Sequence, residues 1–330
     1  MKRFLKWLVI LVIVLVVSIF VFVELTWKKT YDAPYPEITA SRDSAVIEYG
    51  KHLVYGIAAC TDCHVSLSDL KSFEDGANPP LQGNGLNLDI PPAVVVAPNI
   101  TSDKETGIGN YTDQEIARAL RYSVGRDGRF LFPMMEYQNL SDEDLTAIIS
   151  FLRTLPPVKN EVPRVEYKFL GKALLAFGAI KPIGPEETPP KSVKRDSTIE
   201  YGKYLTHNVT MCMACHTQRS YKDGSFIGPK FAGRGIFGPD EMTKGKVFVS
   251  PNLTNDEETG HIYHWTEEQF MARLHNGRVY EGSPMAWGAF KRCDDMELKA
   301  IYRYLKTLEP VKNKVEQVVY NSLDELPFEH

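Results

Sequence analysis

Apolar residues recur every three or four positions in two segments of the chain, residues 44–58 and 142–155. This spacing places them on one face of a helix, so each segment is predicted to be an amphipathic helix. The second helix ends before Pro156, because proline cannot continue a helix. Gly50 lies inside the first helix and leaves room for a second helix to approach, which predicts a contact with the closing helix near Phe151.

The most apolar segment of the chain is residues 7–23, which follow three basic residues. The run is near the lower length limit for a helix that crosses a bilayer. Trp7 and Trp27 flank it as interfacial anchors, and no small-x-small cleavage site follows. We therefore interpret residues 1–29 as an uncleaved signal-anchor and transmembrane helix with its N-terminus in the cytoplasm. The alternative is a cleaved signal peptide.

The hydrophobic pattern after this segment occurs twice, with a period of about 150 residues. The matching stretches are EYGKHL (48–53) and EYGKYL (200–205), APNITSDKETGIGNYT (97–112) and SPNLTNDEETGHIYHWT (250–266), and AIISFLRTLPPVKN (147–160) and AIYRYLKTLEPVKN (300–313). A unit of this size is a small domain rather than one turn of a solenoid. The duplication predicts one domain at residues 41–160, the first repeat, and another at residues 197–313, the second repeat.

Several positions inside the duplicated motifs are predicted to have the same structural role in both copies. Gly202 occupies the position of Gly50 and is expected to face Tyr304 as Gly50 faces Phe151. Asn99 and Asn252 lie in the repeated P-N-[IL]-T motif. We expect their side chains to hold a loop by hydrogen bonds to the backbone.

Three segments lie outside the repeats. Residues 30–40 are a proline-containing tether, and residues 161–196 are a linker rich in proline and lysine. The linker contains a short apolar piece, residues 169–180, which is too short to span a bilayer and would either dock on a domain or lie at the membrane surface. Residues 314–330 are predicted to be a C-terminal tail without a counterpart in the first repeat.

Length and charge restrict the class of protein. A chain of 330 residues fits two folded units with appendages. Its net charge is −4, and the part after residue 29 has 33 basic and 41 acidic side chains. This acidic excess argues against nucleic-acid binding. It suits either attraction of a basic redox partner or ordinary solubility.

Four of the five cysteines lie in two short motifs that determine the expected chemistry. The motifs are Cys60-Thr-Asp-Cys63-His64 and Cys212-Met-Ala-Cys215-His216. In a CxxCH motif the thiols form thioethers with the vinyl groups of a haem, and the histidine becomes the proximal ligand of the iron. A lone CxxC also fits zinc or a redox disulfide, but here a histidine follows both times. Two covalently bound haem c groups are therefore predicted. Covalent haem attachment also places these domains in the periplasm, beside the bacterial inner membrane.

Methionine is the expected second axial ligand in both repeats. Pro133-Met134 and Pro284-Met285 precede the closing helices, 70 and 69 residues after His64 and His216. The thioether of methionine is a soft ligand that raises the reduction potential of haem iron. Met135 competes with Met134 for this role, and the other interpretation is that these methionines only fill the core.

The fifth cysteine, Cys293, matches Leu140 of the first repeat and lies just ahead of the second closing helix. We expect it to be a small buried apolar side chain. The alternative is a reactive or pairing thiol.

The repeated motifs P-N-[IL]-T, [DE]-x-E-T-G, [YW]-T, P-M and A-I-x-x-[FY]-L-[RK]-T-L resemble those of a known family. They are similar to the class I cytochrome c domains in the multihaem cytochrome subunits of periplasmic alcohol and gluconate dehydrogenases. The resemblance covers most of residues 44–313. It implies a mainly α fold, with two tandem class I cytochrome c domains behind the N-terminal transmembrane helix. Those subunits typically carry three haems, whereas this chain has two CxxCH motifs.

The predicted function is that of a membrane-anchored di-haem cytochrome c. It would carry single electrons between a periplasmic dehydrogenase or quinol-oxidising respiratory complex and an acceptor such as a terminal oxidase, without a catalytic residue. The alternative is a di-haem redox enzyme, either cytochrome c peroxidase-like or thiosulfate-oxidising. A peroxidase needs an open sixth position on one iron, and two matched Pro-Met pairs argue against it. A haem-based sensor or assembly module is a third possibility.

Overall fold

The computed structural model describes residues 1–220 and 224–329, and its regular secondary structure is mostly helical. The α-helices are α1 (Lys2–Thr26), α2 (Ser44–Tyr55), α3 (Thr61–His64), α4 (Leu70–Glu74), α5 (Asp113–Tyr122), α6 (Asp142–Leu152), α7 (Phe169–Ala176), α8 (Ile199–Tyr204), α9 (Cys212–Cys215), α10 (Glu267–His275), α11 (Trp287–Phe290) and α12 (Asp295–Leu305). A π-helical turn spans Leu205–Val209, and a 3₁₀ turn spans Leu323–Glu325.

Two small antiparallel sheets accompany the helices. The strands are β1 (Asn87–Ile90), β2 (Ala93–Val96), β3 (Glu166–Tyr167), β4 (Ile236–Phe237), β5 (Val247–Val249) and β6 (Val319–Tyr320). The first sheet has the order β1-β2-β3 and the second has the order β4-β5-β6. Each repeat therefore has its own three-stranded sheet.

The opening and closing helices of each repeat pack at a glycine. A Cβ atom on Gly50 of α2 would overlap the Ala147 carbonyl oxygen of α6, and a Cβ on Gly202 of α8 would overlap the Ala300 carbonyl oxygen of α12. The next neighbours of these two sites are the β-carbons of Phe151 and Tyr304. The predicted contacts are confirmed, because only glycine allows the helix backbones to approach this closely.

Both predicted helices of the first repeat end three residues early. α2 ends at Tyr55 rather than at residue 58, and Ala59 adopts a left-handed conformation with φ of 52°. α6 ends at Leu152 rather than at residue 155. The Leu155 amide donates to the Leu152 carbonyl at 3.3 Å in a tighter turn, as expected where prolines follow and disfavour helical backbone.

The second opening helix differs from the first in its hydrogen bonding. α8 is short and continues as the π-helical turn Leu205–Val209, which the Thr210 amide closes by donating to the Leu205 carbonyl at 2.8 Å. Met211 then has φ of 55°, matching the left-handed Ala59 of the first repeat. In both repeats the chain thus turns sharply at the residue just before the first cysteine of CxxCH.

One continuous hydrophobic cluster contains buried residues of both repeats. Its fully buried members include Leu53 and Ile149 from the first repeat, and Leu298 and Ile301 from the second. A smaller cluster lies under the second sheet and includes Val247, Val249 and Tyr320. The two repeats therefore stabilise each other across a shared core.

The C-terminal tail has a structural counterpart in the linker, outside residues 41–160. β6 of the tail pairs with β5 as β3 of the linker pairs with β2. Tyr167 and Tyr320 each follow the last asparagine of the duplicated motif by seven residues, within a shared V-x-x-V-x-Y pattern. The duplicated unit thus extends into the linker and the tail. The last residue of the tail, His330, lies outside the described residues.

The N-terminal helix α1 is long and apolar enough to cross a membrane, with a mean hydropathy of 3.3, and signal sequences share this composition. The segment after it, residues 30–40, is bound along the first repeat. The Tyr31 amide donates to the Gly128 carbonyl at 2.8 Å, and the Ala40 amide donates to Asp113 Oδ2 at 2.8 Å. Ile38, between these bonds, is buried.

Candidate haem-binding sites

The histidines of the two CxxCH motifs have the same environment. His64 ends α3, His216 directly follows α9, and both are buried. Their Nδ1 atoms lie 2.8 Å from the Pro98 carbonyl oxygen and 2.9 Å from the Pro251 carbonyl oxygen. A carbonyl can only accept a hydrogen bond, so Nδ1 donates and the Nε2 lone pair stays free for a metal. Such a bond to the outer nitrogen is the usual way to orient a ligating histidine.

Burial keeps both imidazoles neutral. Desolvation lowers the pKa of His64, and it lowers the pKa of His216 to about 4, while the hydrogen bond to each proline carbonyl acts in the opposite direction. The positive charge of His261 lowers the pKa of His216 further, by a smaller amount. A neutral imidazole is the form that binds iron.

The four motif cysteines are free thiols in this structure. Burial raises the pKa of Cys60, Cys63 and Cys215 to about 12 each and that of Cys212 to about 11. Before maturation they are therefore protonated and not activated as redox thiols, which have lowered pKa values. Among the described residues, neither motif belongs to a group of three ligand atoms close enough to share one metal ion. A structural zinc ion needs four such ligands, so the donor set fits haem c better than zinc.

The structure brings the two motifs close to each other. Cys215 is near enough to Cys63 to contribute, after burial and nearer neighbours, to the raised pKa of that thiol. An ion pair also connects the two sites, because Arg219 Nη2 donates to Glu136 Oε1. Glu136 lies in the methionine loop of the first repeat, and Arg219 follows the CxxCH motif of the second.

The methionine loops differ between the repeats. Met285 is partly buried against the main core, and its carbonyl accepts from the Trp287 amide at 2.7 Å. Met134 is 37 % exposed, whereas its competitor Met135 packs against the core. The structure thus places Met285 and Met135 inward and leaves Met134 at the surface. The assignment of Met134 and Met285 as axial ligands stays a prediction.

Sequence reasoning missed residues that contact the motif cysteines. Tyr137 is buried, donates its hydroxyl hydrogen to the Ala58 carbonyl, and lies close enough to Cys60 to affect the pKa of that thiol. In the second repeat Thr210 Oγ1 lies 2.9 Å from Cys212 Sγ. A comparison of the two repeats could not reveal these residues. Tyr137 and Thr210 differ in residue type and lie in different loops of their repeats, so neither is a repeated residue.

Comparison with known proteins now adds the class of protein. The homologues of the chain are cytochrome c subunits of quinone-dependent alcohol, fructose and gluconate dehydrogenases, together with a di-haem c-type cytochrome. This agrees with the resemblance drawn from the repeated motifs. No family model matches the chain.

Individual relatives show the extent of the similarity. The cytochrome c subunit of a quinone-dependent alcohol dehydrogenase from Komagataeibacter europaeus is 30% identical over 291 residues, which are 83% of this chain and 58% of that protein. The cytochrome subunit of a fructose dehydrogenase from Gluconobacter japonicus is 26% identical over 90% of this chain and 58% of its own length. A di-haem c-type cytochrome from Cereibacter sphaeroides is 25% identical over 61% and 65%. The chain thus spans less than two thirds of the length of these relatives.

Proposed function

We propose that this protein is an electron-transfer cytochrome with two covalently bound haem c groups. Cys60 and Cys63 would hold one haem, and Cys212 and Cys215 the other. The axial ligands would be His64 with Met134 and His216 with Met285. The observation that carries this proposal is the pair of buried CxxCH histidines, each with Nδ1 bonded to a proline carbonyl and Nε2 free.

The residues of the chain suit a carrier rather than a catalyst. Haem c supplies a reversible one-electron change at its iron, and the protein tunes the potential through ligands, hydrogen bonds and burial. The carbonyls of Pro98 and Pro251 would orient the proximal histidines and raise their basicity. The ion pair between Arg219 and Glu136, which connects the two sites, supports transfer between them within one molecule.

We further propose that residues 41–160 and 197–313 are two class I cytochrome c domains held to the bacterial inner membrane by α1, with both domains in the periplasm. The names of the relatives support a dehydrogenase as the electron donor. A quinol-oxidising complex is a second donor, and a terminal oxidase is a suitable acceptor.

The test is the haem content and iron ligation of protein matured in the periplasm. Its mass should equal that of the chain plus two haems, and replacing either cysteine pair by alanine should remove one. Two low-spin His/Met irons should show a ferric sulfur-to-iron charge-transfer band in the near infrared. Met285→Ala and Met134→Ala should each remove about half of this band and lower one potential.

Met135→Ala is the matched control, because Met135 packs against the core beside the exposed Met134. If Met135→Ala removes half of the band and Met134→Ala does not, the ligand of the first repeat is Met135. A high-spin haem in the unmodified protein would instead favour the peroxidase-like enzyme. Zinc in place of haem would refute the proposal.

A further inference from the structure

The helix α7 of the linker packs against the C-terminal part of α1. Three pairs of aromatic rings join residues 20–27 to residues 167–177: Phe20 with Phe169 at 5.4 Å between centroids, Phe22 with Phe177 at 5.3 Å, and Trp27 with Tyr167 at 5.8 Å. The first pair is stacked, with an interplanar angle of 10°. The contacts therefore follow α1 from its apolar run to its polar end.

Polar contacts fix the same arrangement. Lys172 Nζ lies 2.8 Å and 3.0 Å from the two carboxylate oxygens of Glu24, and Lys29 Nζ donates to the Ala176 carbonyl at 2.6 Å. Both lysines bind at the end of α1 where the apolar run has stopped. This is the level at which charged groups meet the headgroups of a bilayer.

α7 is also attached to the first repeat. It follows directly from β3, which pairs with β2, and the Lys168 amide donates to the Pro92 carbonyl at 3.0 Å. A Cβ atom on Gly171 would overlap this same Pro92 carbonyl oxygen. The helix α7 therefore contacts α1 on one side and the Pro92 loop of the first repeat on the other, and it connects the two.

The depth of α7 follows from its partners on α1. Phe20 and Phe22 belong to the apolar run that ends at residue 23, before Glu24. At 1.5 Å per helical residue, Phe20 lies about 6 Å deeper than Glu24 along the helix axis. The Phe169 ring is stacked on Phe20 with 5.4 Å between centroids, so it lies beside the apolar run of α1. Phe169 and Phe177 therefore belong below the headgroup level of any membrane that α1 crosses.

The outer surface of α7 and its continuation is apolar and basic. Phe169, Leu170 and Phe177 are 47 %, 45 % and 62 % exposed. Residues 167–185 contain three lysines and no acidic residue. Apolar side chains with flanking lysines are typical of helices that lie in the interface of a bilayer containing anionic lipids.

We propose that α7 is a second membrane-contacting element, inserted into the outer leaflet beside α1 and facing lipid with Leu170 and Phe177. It holds the first repeat at a fixed height and orientation over the bilayer, in place of a domain on a free tether. The occupant of this apolar surface is lipid rather than a protein, because the surface is continuous with the lipid-facing side of α1. The inference rests on the proposed membrane anchoring by α1.

The test uses the full-length di-haem protein in nanodiscs of phosphatidylethanolamine and phosphatidylglycerol. A nitroxide is attached to Leu170→Cys or Phe177→Cys, with Val14→Cys in α1 and Val279→Cys in the second repeat as controls. Val14 and Val279 are 56 % and 66 % exposed, so both positions accept a label. The motif cysteines are blocked by haem, Cys293 is buried, and unlabelled wild type gives the background. Relaxation by oxygen and by a water-soluble nickel chelate is measured with the irons reduced.

We expect the labels at 170 and 177 to be severalfold less accessible to the nickel chelate than the label at 279, and severalfold more accessible to oxygen. If both behave like the label at 279 while the label at 14 is protected, α7 lies in water and the inference is overturned, although the anchor stands. If the label at 14 is itself open to the chelate, the proposed anchoring fails. Two labelled positions on α7 guard against one variant losing haem.

Discussion

The two repeats agree most closely around the loops that carry the proximal carbonyls. Asn99 Nδ2 donates to the Val158 carbonyl at 2.8 Å, and Asn252 Nδ2 donates to the Val311 carbonyl at 2.8 Å. Their Oδ1 atoms each accept from a threonine amide two residues later at 2.9 Å. Each asparagine directly follows the proline whose carbonyl binds the motif histidine. The duplicated sequence thus preserves the support of the histidine atom by atom.

The repeats differ where they meet each other. His52 Nε2 lies 2.9 Å from Glu297 Oε1, so α2 of the first repeat binds α12 of the second. At the equivalent positions Tyr204 donates its hydroxyl hydrogen to Asp144 Oδ2, so α8 binds α6. The same crossed contact is made twice, as in a two-fold symmetric interface. One copy uses an imidazole, whose ordinary pKa is about 6.5, and the other uses a phenol, whose ordinary pKa is about 10. The two repeats thus use the same asparagine hydrogen bonds to hold the loop beside the motif histidine. In the contacts between the repeats, one copy uses a histidine with a glutamate and the other a tyrosine with an aspartate.

The largest effect on the free energy of unfolding is expected at Gly50 and Gly202, which occupy the same position in the two repeats. Gly50→Ala and Gly202→Ala should each destabilise the protein by about 3 kcal/mol, because the new Cβ overlaps a carbonyl oxygen of the facing helix. Thermal unfolding followed by the haem Soret band and by far-UV circular dichroism measures this. Because the core is continuous, either change should lower a single transition of the whole protein.

Glu48→Ala is the control for the glycine variants, since this residue lies on the same helix with its side chain 73% exposed. Its effect should be within about 0.5 kcal/mol. Two separated transitions in Gly202→Ala, with the first repeat unchanged, would show that the repeats fold independently.

The next effect concerns the asparagines. Asn99→Ala and Asn252→Ala should each cost about 2 kcal/mol, because buried amides and carbonyls lose their partners. Equal losses of stability in denaturant titrations would confirm that the support is the same in both repeats. A loss more than twofold larger in one repeat would contradict this equivalence.

Much of this arrangement was predictable because it lies in repeated local patterns. The helix contacts of Gly50 and Gly202, the loop asparagines and the burial of Cys293 follow from residue type and position, and the structure confirms them. The pair of His52 and Glu297 was not predictable. It joins residues 245 positions apart, and its counterpart uses different residue types, so neither local pattern nor repetition indicates it.

Sequence reasoning also treated residues 314–330 as unrelated to the first repeat, although β6 repeats β3. Each of these strands has two residues, and so short a segment carries little periodic signal. The proposed membrane position of α7 rests on its contact with α1, which joins residues 148 positions apart, as in the pair of Glu24 and Lys172. The apolar pattern of residues 169–180 alone could not choose between a domain and the membrane surface.

Of the two contacts between the repeats, we expect only the pair of His52 and Glu297 to change the stability of the protein with pH. The hydrogen bond that His52 donates to Glu297 raises the pKa of His52, and burial opposes this. The negative charges of Glu297 and Asp294 raise the pKa further, and the positive charge of Arg195 lowers it. Because the pKa in the folded state lies above the unfolded value of about 6.5, this contact contributes fully below that pH. Its contribution is lost as the pH rises through the folded-state pKa. We therefore expect the free energy of unfolding to decrease as the pH rises through that pKa.

His52→Tyr places the residue of the second repeat at this position and should remove the pH dependence. Burial and Asp144 raise the pKa of the counterpart Tyr204, so that contact stays unchanged over the same range. Denaturant titrations from pH 6 to pH 9 measure the difference between wild type and variant. If the difference does not change with pH, the His52 contact does not titrate in the folded protein.

The smallest effect concerns an exposed contact that is also present in both repeats. Lys159 Nζ lies 2.5 Å from Glu105 Oε2, and Lys312 Nζ lies 2.5 Å from Glu258 Oε2, with all four side chains about 70% exposed. Exposed ion pairs contribute little, because water screens the charges and ordering two long side chains costs entropy. Glu105→Gln and Glu258→Gln should therefore leave the unfolding midpoint unchanged within error. A clear decrease in both variants would mean that repetition itself marks energetic importance. No change would show that the shared contacts matter through burial, as at Asn99 and Asn252.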